Sequence, residues 1–191
     1  MRKGIGREQL VEQATILFRQ KGFSATSIDE IVRACGITKG SLYYHFASKE
    51  DLATEVMRRV HRFFVDHIFV HINQAERPGR AELVAFNAAV ETFFAAHPDG
   101  CLLANLSLEA PANRQLFDLP IRRFFGEWRA CYAKVFSTRN LRERAETLAE
   151  DALATVHGCI LMQRIDGNIE PLRRQHRKLL SVLEGEQVSA H

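Results

Sequence analysis

Apolar residues recur along most of the chain at spacings of three and four, which is the period of one face of an α-helix. The first stripe consists of Leu10, Ala14, Leu17 and Phe18. The longest consists of Leu148, Ala152, Thr155, Val156, Cys159, Ile160 and Gln163. No segment shows the alternating pattern of a strand between hairpin turns. The pattern therefore predicts an all-α protein.

Caps and turn residues divide these stripes into about nine helices. Gly22 follows the first stripe as a C-cap, the run 27–30 forms a capping box, and Gly36 ends the second helix. The predicted helices cover residues 7–21, 28–34, 38–45, 48–74, 81–96, 119–136, 141–165 and 169–184, with a further segment of about ten residues after Gly100. We expect an N-terminal three-helix domain over residues 1–50 and a helical body over residues 51–191.

Net positive charge lies at the start of the chain. Residues 1–60 hold 10 Lys and Arg against 7 Asp and Glu, whereas the rest hold 16 of each. This asymmetry is typical of a short segment that meets a polyanion such as nucleic acid. The N-terminus lacks an apolar signal core, and no apolar run approaches the roughly 18 residues of a membrane span. We therefore expect a cytoplasmic protein without membrane contact.

Residues 26–46 have the pattern of a helix-turn-helix, with the turn at Gly36. The positions predicted to face inward are Ile28, Ile31, Val32, Ile37, Leu42 and Phe46. Those predicted to be exposed on the second helix are Lys39, Ser41, Tyr43, Tyr44 and His45. No Asp or Glu occurs between Glu30 and Glu50, so this face suits base edges and phosphates. A helical hairpin with a solvated polar face is the alternative.

Three runs without gaps carry a family resemblance. They are Lys-Gly-Phe at 21–23, Thr-Ser-Ile-Asp-Glu-Ile at 26–31, and Gly-Ile-Thr-Lys-Gly-Ser-Leu-Tyr-Tyr-His-Phe-Ala-Ser-Lys-Glu-Asp-Leu at 36–52. With them, residues 7–53 resemble the DNA-binding domain of the TetR family of transcriptional regulators. The resemblance implies a homodimer whose recognition helices enter successive major grooves of a palindromic operator. It implies phosphate contacts by Thr26, Tyr43, His45 and Lys49, and positions at or near base edges for Lys39, Gly40, Ser41 and Tyr44.

The run Gly100-Cys101-Leu102-Leu103-Ala104-Asn105 resembles a subgroup of that family in which Gly-Cys-x-x-x-Asn opens the sixth helix. Some members of that subgroup respond through cysteine to electrophilic or unsaturated small molecules. Cys101 follows a Pro-Asp-Gly turn, so it is predicted in the first turn of a helix, where the helix dipole favours a thiolate. Asn105 and Glu109 would share its face. The alternative is a buried, inert cysteine.

The aromatic residues of the body could wall an apolar ligand pocket. Three phenylalanine doublets occur, at 63–64, 93–94 and 124–125, and the two rings of each should diverge by about 100° on a helix. We expect a small-molecule inducer to bind near Cys101, Asn105, Trp128 and Tyr132, with ordinary core packing as the alternative. His67 and His71 lie one turn apart, but no third ligand is evident, so we expect neither a metal site nor a cofactor.

The helices near 141–165 and 169–184 are predicted to form the dimer interface. Small residues at Ala152, Ala154, Thr155 and Gly158 would let two helices approach closely, and the last helix continues the apolar stripe. The predicted function is a ligand-responsive repressor. The alternatives are a DNA-binding protein without a ligand and, less favoured, a helical enzyme or carrier. We do not expect an enzyme, because the sequence lacks a Gly-x-Ser-x-Gly elbow and a P-loop.

Overall fold

The computed structural model describes residues 6–109, 114–138 and 144–184, and all regular structure in these ranges is helical. The helices are α1 (Arg7–Lys21), α2 (Ile28–Cys35), α3 (Lys39–His45), α4 (Lys49–Phe64), α5 (Val70–Asn73), α6 (Arg80–Ala96), α7 (Leu102–Ser107), α8 (Arg114–Ser137), α9 (Ala145–Asp166) and α10 (Glu170–Glu184), and a π-helical turn at Val65–Phe69 joins α4 to α5. Counting the run 49–73 as one helix gives nine in the described ranges, which confirms the predicted class and number.

The caps place the N-terminal helices where the sequence predicts them. The Ser27 hydroxyl accepts a hydrogen bond from the Glu30 backbone N–H, and the Glu30 carboxylate accepts one from the Ser27 N–H at 2.9 Å. Gly36 then adopts a left-handed conformation with φ of 66°, which a residue with a side chain rarely takes. Thr38 caps α3 by accepting from the Ser41 N–H at 3.2 Å. These local interactions explain why the predicted boundaries are confirmed.

The start of α8 was predicted wrongly. The sequence predicts a helix from about residue 119, but α8 begins at Arg114 and contains Pro120 in its interior. Proline removes a backbone donor and costs about 3 kcal/mol in such a position. The extra turns bury Phe117, whose ring packs edge-on against Phe23 at 5.2 Å. This tertiary contact outweighs the local preference.

The chain divides into two compact units, which we describe separately. The first consists of residues 1–62 and 101–122, and the second of residues 63–100 and 123–191. The first unit therefore contains more than the predicted N-terminal domain, since α7 packs on α1. The domain boundary at residue 50 stays a prediction.

The core of the second unit is aromatic. Phe64, Phe94, Phe124 and Trp128 are buried together, with the Phe64 ring 4.9 Å from Phe124 and 5.3 Å from Trp128. The three doublets separate as predicted, since Phe64, Phe94 and Phe124 are buried while the other ring of each pair keeps some exposure. Within the described ranges, no helix has both the length and the apolar character needed to cross a bilayer.

Candidate nucleic-acid interface and ligand site

Helices α2 and α3 form the predicted helix-turn-helix. Ile31 and Val32 on α2 and Leu42 on α3 are buried, as is Phe46 at the C-cap of α3. Ile28 and Ile37 are only partly buried. The shared apolar seam fixes the orientation of α3 and leaves its opposite face in solvent, which is the arrangement a recognition helix requires.

The exposed face of α3 presents most of the predicted DNA contacts together. Lys39, Gly40 and Ser41 are exposed, and the tyrosine side chains protrude, Tyr44 being 84% and Tyr43 50% exposed. The Tyr44 ring meets the His45 imidazole edge-on at 5.0 Å. Large aromatic side chains in solvent carry a cost unless they serve an interface, so this face is a candidate interface.

Lys39 forms an ion pair that the sequence did not indicate. Its Nζ lies 2.9 Å from Asp29 Oδ1 on α2, with both side chains more than half exposed. The Asp29 carboxylate raises the pKa of Lys39. Because this pair joins residues ten apart across the turn, no helical spacing rule could have predicted it. In the free protein it holds the ammonium group next to α2.

Two predicted phosphate contacts lie apart from this face. Thr26 is fully buried and its hydroxyl donates to the Gly22 carbonyl at 2.7 Å, so its side chain has no exposed atom for a phosphate. Lys49 is partly buried, with its Nζ 4.1 Å from the centre of the Phe23 ring. Burial lowers the pKa of Lys49. Its ammonium therefore stabilises the first unit through a cation–π contact, and it keeps some exposure.

Asn105 and Glu109 contact the end of α1 and the turn that follows. The Asn105 amide donates to the Arg19 carbonyl at 3.1 Å. The Glu109 carboxylate accepts from the Phe23 N–H and the Ser24 hydroxyl, each at 2.5 Å. The sequence showed that the two residues share one helical face, but it could not show which surface that face meets. Within the first unit, they fasten α7 to the α1–α2 turn.

Replacing Glu109 by alanine should destabilise the first unit by about 1–3 kcal/mol, because the part-buried N–H of Phe23 and the hydroxyl of Ser24 would lose a charged acceptor. The carboxylate of Glu109 can approach the turn because residue 22 is a glycine. Gly22 has φ of 85°, and a Cβ there would lie only 2.6 Å from Glu109 Oε1. The free energy of unfolding measured by denaturant titration checks the prediction. Exposed Glu76, changed to alanine, is the control. Equal stability of the two variants would contradict the anchoring role.

The pKa of the Cys101 thiol does not follow the expectation that its position at a helix start suggested. Cys101 is the N-cap of α7, where the neighbouring backbone N–H groups of Leu103 and Ala104 favour its thiolate although the side chain forms no cap hydrogen bond. Burial has the larger effect and raises the pKa of the Cys101 thiol. The expectation of a thiolate was therefore wrong for this conformation, because desolvation of the sulfur outweighs the helix terminus. Capture of an electrophilic inducer by Cys101 stays a prediction without this support.

Trp128 and Tyr132 lie in the aromatic core of the second unit, both completely buried. The Phe86 ring lies 5.3 Å from Tyr132 and 6.5 Å from Trp128. Cys101 and Asn105 belong to the first unit. The four predicted ligand-binding residues are thus distributed over both units, and their joint role stays a prediction.

A groove of about 460 Å³ opens in the second unit between the run 63–73 and α6. Its lining is mainly apolar and includes Phe63, Phe93, several alanines of α6 and the histidines His67, His71 and His97. The His67–His71 pair considered as a metal site therefore faces a groove. In the described ranges, no group of three or more His, Cys, Asp or Glu side chains is placed to hold a metal ion.

An exposed apolar strip runs along one face of α9. Leu161 is 56% and Ile165 69% exposed, and Gly158 and Ala154 continue the same face toward the N-terminal end of the helix. Ala152, predicted at the interface, is buried in the core of the subunit instead. That prediction was wrong because Ala152 belongs to the stripe of Ala149, Val156 and Ile160, which packs inward.

Two family models match the chain. The model described as "Bacterial regulatory proteins, tetR family" matches residues 10–56. The model described as "Transcriptional regulator LmrA/YxaF-like, C-terminal domain" matches residues 82–178. The first match contains the whole helix-turn-helix, and the second contains all but the first two residues of α6 and the apolar strip of α9.

Known proteins resemble the chain over most of its length. The HTH-type transcriptional repressor DhaR of Mycobacterium sp. (strain GP1) is 30% identical over 173 residues, which cover 87% of this chain and 86% of DhaR. The HTH-type transcriptional regulator LmrA of Bacillus subtilis (strain 168) is 28% identical, covering 90% and 93%. A TetR transcriptional regulator from Legionella pneumophila has the same fold, with a TM-score of 0.83, 21% identity, and coverage of 96% and 100%.

Proposed function

Because the chain belongs to the TetR family of bacterial regulatory proteins, we propose that it is a transcriptional repressor that a small molecule releases from its operator. The main observation in favour of DNA binding is the exposed face of α3. This helix presents Lys39, Ser41 and Tyr44 and has no acidic residue of its own. The repressor assignment is supported by the similarity to DhaR. Since a bacterial operator is cytoplasmic, the protein would act there.

On the operator, Lys39, Gly40, Ser41 and Tyr44 would lie at or near base edges, and Tyr43, His45 and Lys49 would bind phosphates. This division follows the family resemblance and agrees with the exposure of α3. Base edges determine sequence specificity, whereas phosphate contacts determine register and salt dependence. The proposal leaves out Thr26, whose hydroxyl is already bonded within the first unit.

Selection of bound duplexes from a random pool would test the DNA-binding proposal. A two-fold dimer should enrich palindromes whose half-site centres lie roughly 34–36 Å apart, or a multiple of this spacing. Enrichment of palindromes that protect two successive major grooves would support the proposal. A pool that gains no sequence preference, or a selected site without two-fold symmetry, would contradict it.

Lys49→Ala should weaken binding to the selected operator and to unrelated DNA by the same factor. Its ammonium would neutralise one phosphate, so the slope of the logarithm of the affinity against that of salt concentration should fall by about one unit. Titrations at several salt concentrations measure this slope. Because Lys49 also contacts the Phe23 ring, the melting temperature of the variant is compared with that of the parent. Lost discrimination between operators with an unchanged slope would refute the assignment.

TetR-family regulators act as dimers, and we place the interface of this chain on α9 and α10. The exposed strip of Ala154, Gly158, Leu161 and Ile165 supports the choice of α9. Apolar residues that line one face of a helix and remain in solvent are typical of an interface. A stable dimer of this kind should bury more than about 2,000 Å² in total.

The second unit is the proposed site of the inducer. Its aromatic core and its open groove support this placement, since ligand sites are concave and mainly apolar with a few polar groups. The second candidate is a DNA-binding protein that no ligand releases. Release of the selected operator by small apolar molecules favours the repressor. Unchanged operator binding across a broad panel of such molecules favours the alternative.

A further inference from the structure

Several polar atoms of the second unit are buried without a hydrogen-bond partner among the described residues, and three of them belong to side chains of its aromatic core. They are the indole Nε1 of Trp128, the hydroxyl of Tyr132 and the Nε2 of His157. Burial raises the pKa of Tyr132, and the nearby indole N–H lowers it by a smaller amount, but the two groups do not reach hydrogen-bond geometry. Unpaired polar groups in an apolar core are unfavourable, and each one calls for a partner such as a ligand or water.

The hydrogen-bonding role of His157 follows from its other ring nitrogen. The Nδ1 lies 3.1 Å from the Leu153 carbonyl oxygen. A carbonyl only accepts, so Nδ1 carries the proton and Nε2 presents a lone pair. Burial also lowers the pKa of His157 to about 4, which keeps the ring neutral near pH 7. His157 therefore offers an acceptor, whereas the indole N–H of Trp128 offers a donor.

The acceptor and the donor belong to neighbouring rings. The His157 ring lies 4.8 Å from the Trp128 ring and 4.8 Å from Phe125. Trp128 is further surrounded by Phe64, Phe94 and Phe124, with ring centres 5.3–6.4 Å away. A molecule that pairs with both groups must carry a donor and an acceptor close together in an otherwise aromatic environment.

Two phenylalanine rings lie between the groove of the second unit and this aromatic cluster. Phe93 lines the groove, its ring lies 4.8 Å from Phe64, and Phe64 contacts Trp128. Phe63 lies on the other side of the groove, 41% exposed and 5.3 Å from Phe93. The π-helical turn at Val65–Phe69 begins directly after Phe64. Such turns are often found at functional sites.

We propose that the second unit binds an uncharged aromatic molecule with a hydroxyl group, a phenol, whose O–H donates to His157 Nε2 and whose oxygen accepts from Trp128 Nε1. The ligand enters from the groove by displacement of the Phe93 and Phe64 rings. A carboxylate fits less well, since its charge would lie among aromatic rings and it has no proton to donate. This inference rests on the proposed function, because it names the ligand class of the proposed inducer site.

Three probes of one shape test the ligand class: 4-tert-butylphenol, its methyl ether and 4-tert-butylbenzoate. Trp128 is the sole tryptophan of the sequence, so its fluorescence reports binding at the site in the full-length dimer without DNA. At neutral pH the phenol should bind at least about tenfold more tightly than the ether, which lacks the donor, and than the benzoate. Equal binding of phenol and ether, tightest binding of the benzoate, or no binding of any probe would overturn the proposal.

A His157→Phe variant tests the acceptor. It keeps an aromatic ring beside Trp128 and removes Nε2, so the affinity for the phenol should fall to that for the ether, about tenfold or more. His61→Phe is the matched control, since it replaces a partly buried imidazole that does not line the groove, and it should keep the preference for the phenol. Retention of that preference by His157→Phe would contradict the assignment. The probe series on the parent protein decides the ligand class independently if the variant does not fold.

The entrance is tested by Ala89→Phe, which fills the groove from α6 and leaves Trp128 as the sole tryptophan. Stopped-flow recording of the Trp128 fluorescence gives the association rate of the phenol. The association rate of the phenol should fall several-fold, and an unchanged rate would exclude the groove as the entrance. A phenol that binds tightly yet leaves the selected operator bound would count against release by a ligand and not against this site.

Discussion

An arginine at Gly158 is expected to convert the dimer into monomers and to lower operator affinity by on the order of a hundredfold or more. Gly158 lies on the exposed face of α9 between Ala154 and Leu161, and a Cβ built on it meets nothing within 4 Å in the subunit. The substitution therefore fits the monomer. In a two-fold interface it introduces two like charges into an apolar contact, which leaves them desolvated and unpaired.

Monomer stability and assembly are measured separately for this variant. Arginine is a better helix former than glycine by about 0.5–1 kcal/mol, so the subunit itself should not lose stability. Sedimentation velocity gives the oligomeric state, and the selected operator gives the affinity. Gly126→Arg on α8 is the matched control, since a Cβ there also meets nothing within 4 Å. A Gly158→Arg protein that remains dimeric and binds the operator would disprove the proposed interface.

The choice of Gly158 shows what the sequence alone could not decide. The periodic pattern placed Ala152 and Gly158 on the same predicted interface helix, but α9 has apolar residues on two faces. Only packing separates the face that carries Ala152, which is buried in the subunit, from the face that carries Gly158 and Leu161, which is exposed. An arginine at Ala152 would disrupt the core of the subunit and would not report on the dimer.

Local interactions account for what the sequence predicted well. The capping box at Ser27 and Glu30 and the left-handed turn at Gly36 involve residues within four positions of each other. The helices that they delimit could therefore be predicted from the sequence pattern. The start of α8 was not, because the contact of Phe117 with Phe23 joins distant parts of the chain and overrides the preference of Pro120.

The same distinction applies to the candidate sites. The family resemblance gave the exposed residues of α3 in one continuous run, and the structure presents them on one surface. The positions of Asn105 and Glu109 on one face were also readable, but their partners on α1 and the following turn lie more than 80 residues away. The unpaired Nε2 of His157 had no sequence signal at all, since it depends on the rings around it.

Because Asp29 and Lys39 form an ion pair, we expect substitutions of the two residues to have opposite effects on DNA binding. Lys39→Ala should weaken operator binding by about tenfold to a hundredfold and relax specificity at one base pair of each half-site, as expected for the loss of a base contact. The substitution should leave the melting temperature almost unchanged, because exposed ion pairs contribute little to stability. Binding to a panel of single-base operator variants measures the change in specificity.

Asp29→Asn should have the reverse effect and tighten operator binding several-fold. The carboxylate holds Lys39 Nζ at 2.9 Å in the free protein, so a lysine that reaches for DNA must first leave this partner, and its removal also takes a negative charge away from the DNA-facing surface. The double variant separates these two contributions. If Asp29→Asn acts only by freeing Lys39, it should have no effect in the Lys39→Ala background. If it acts through overall charge, it should tighten binding in both backgrounds and at unrelated DNA equally. Weaker operator binding by Asp29→Asn alone would show instead that Asp29 positions Lys39 for its base contact.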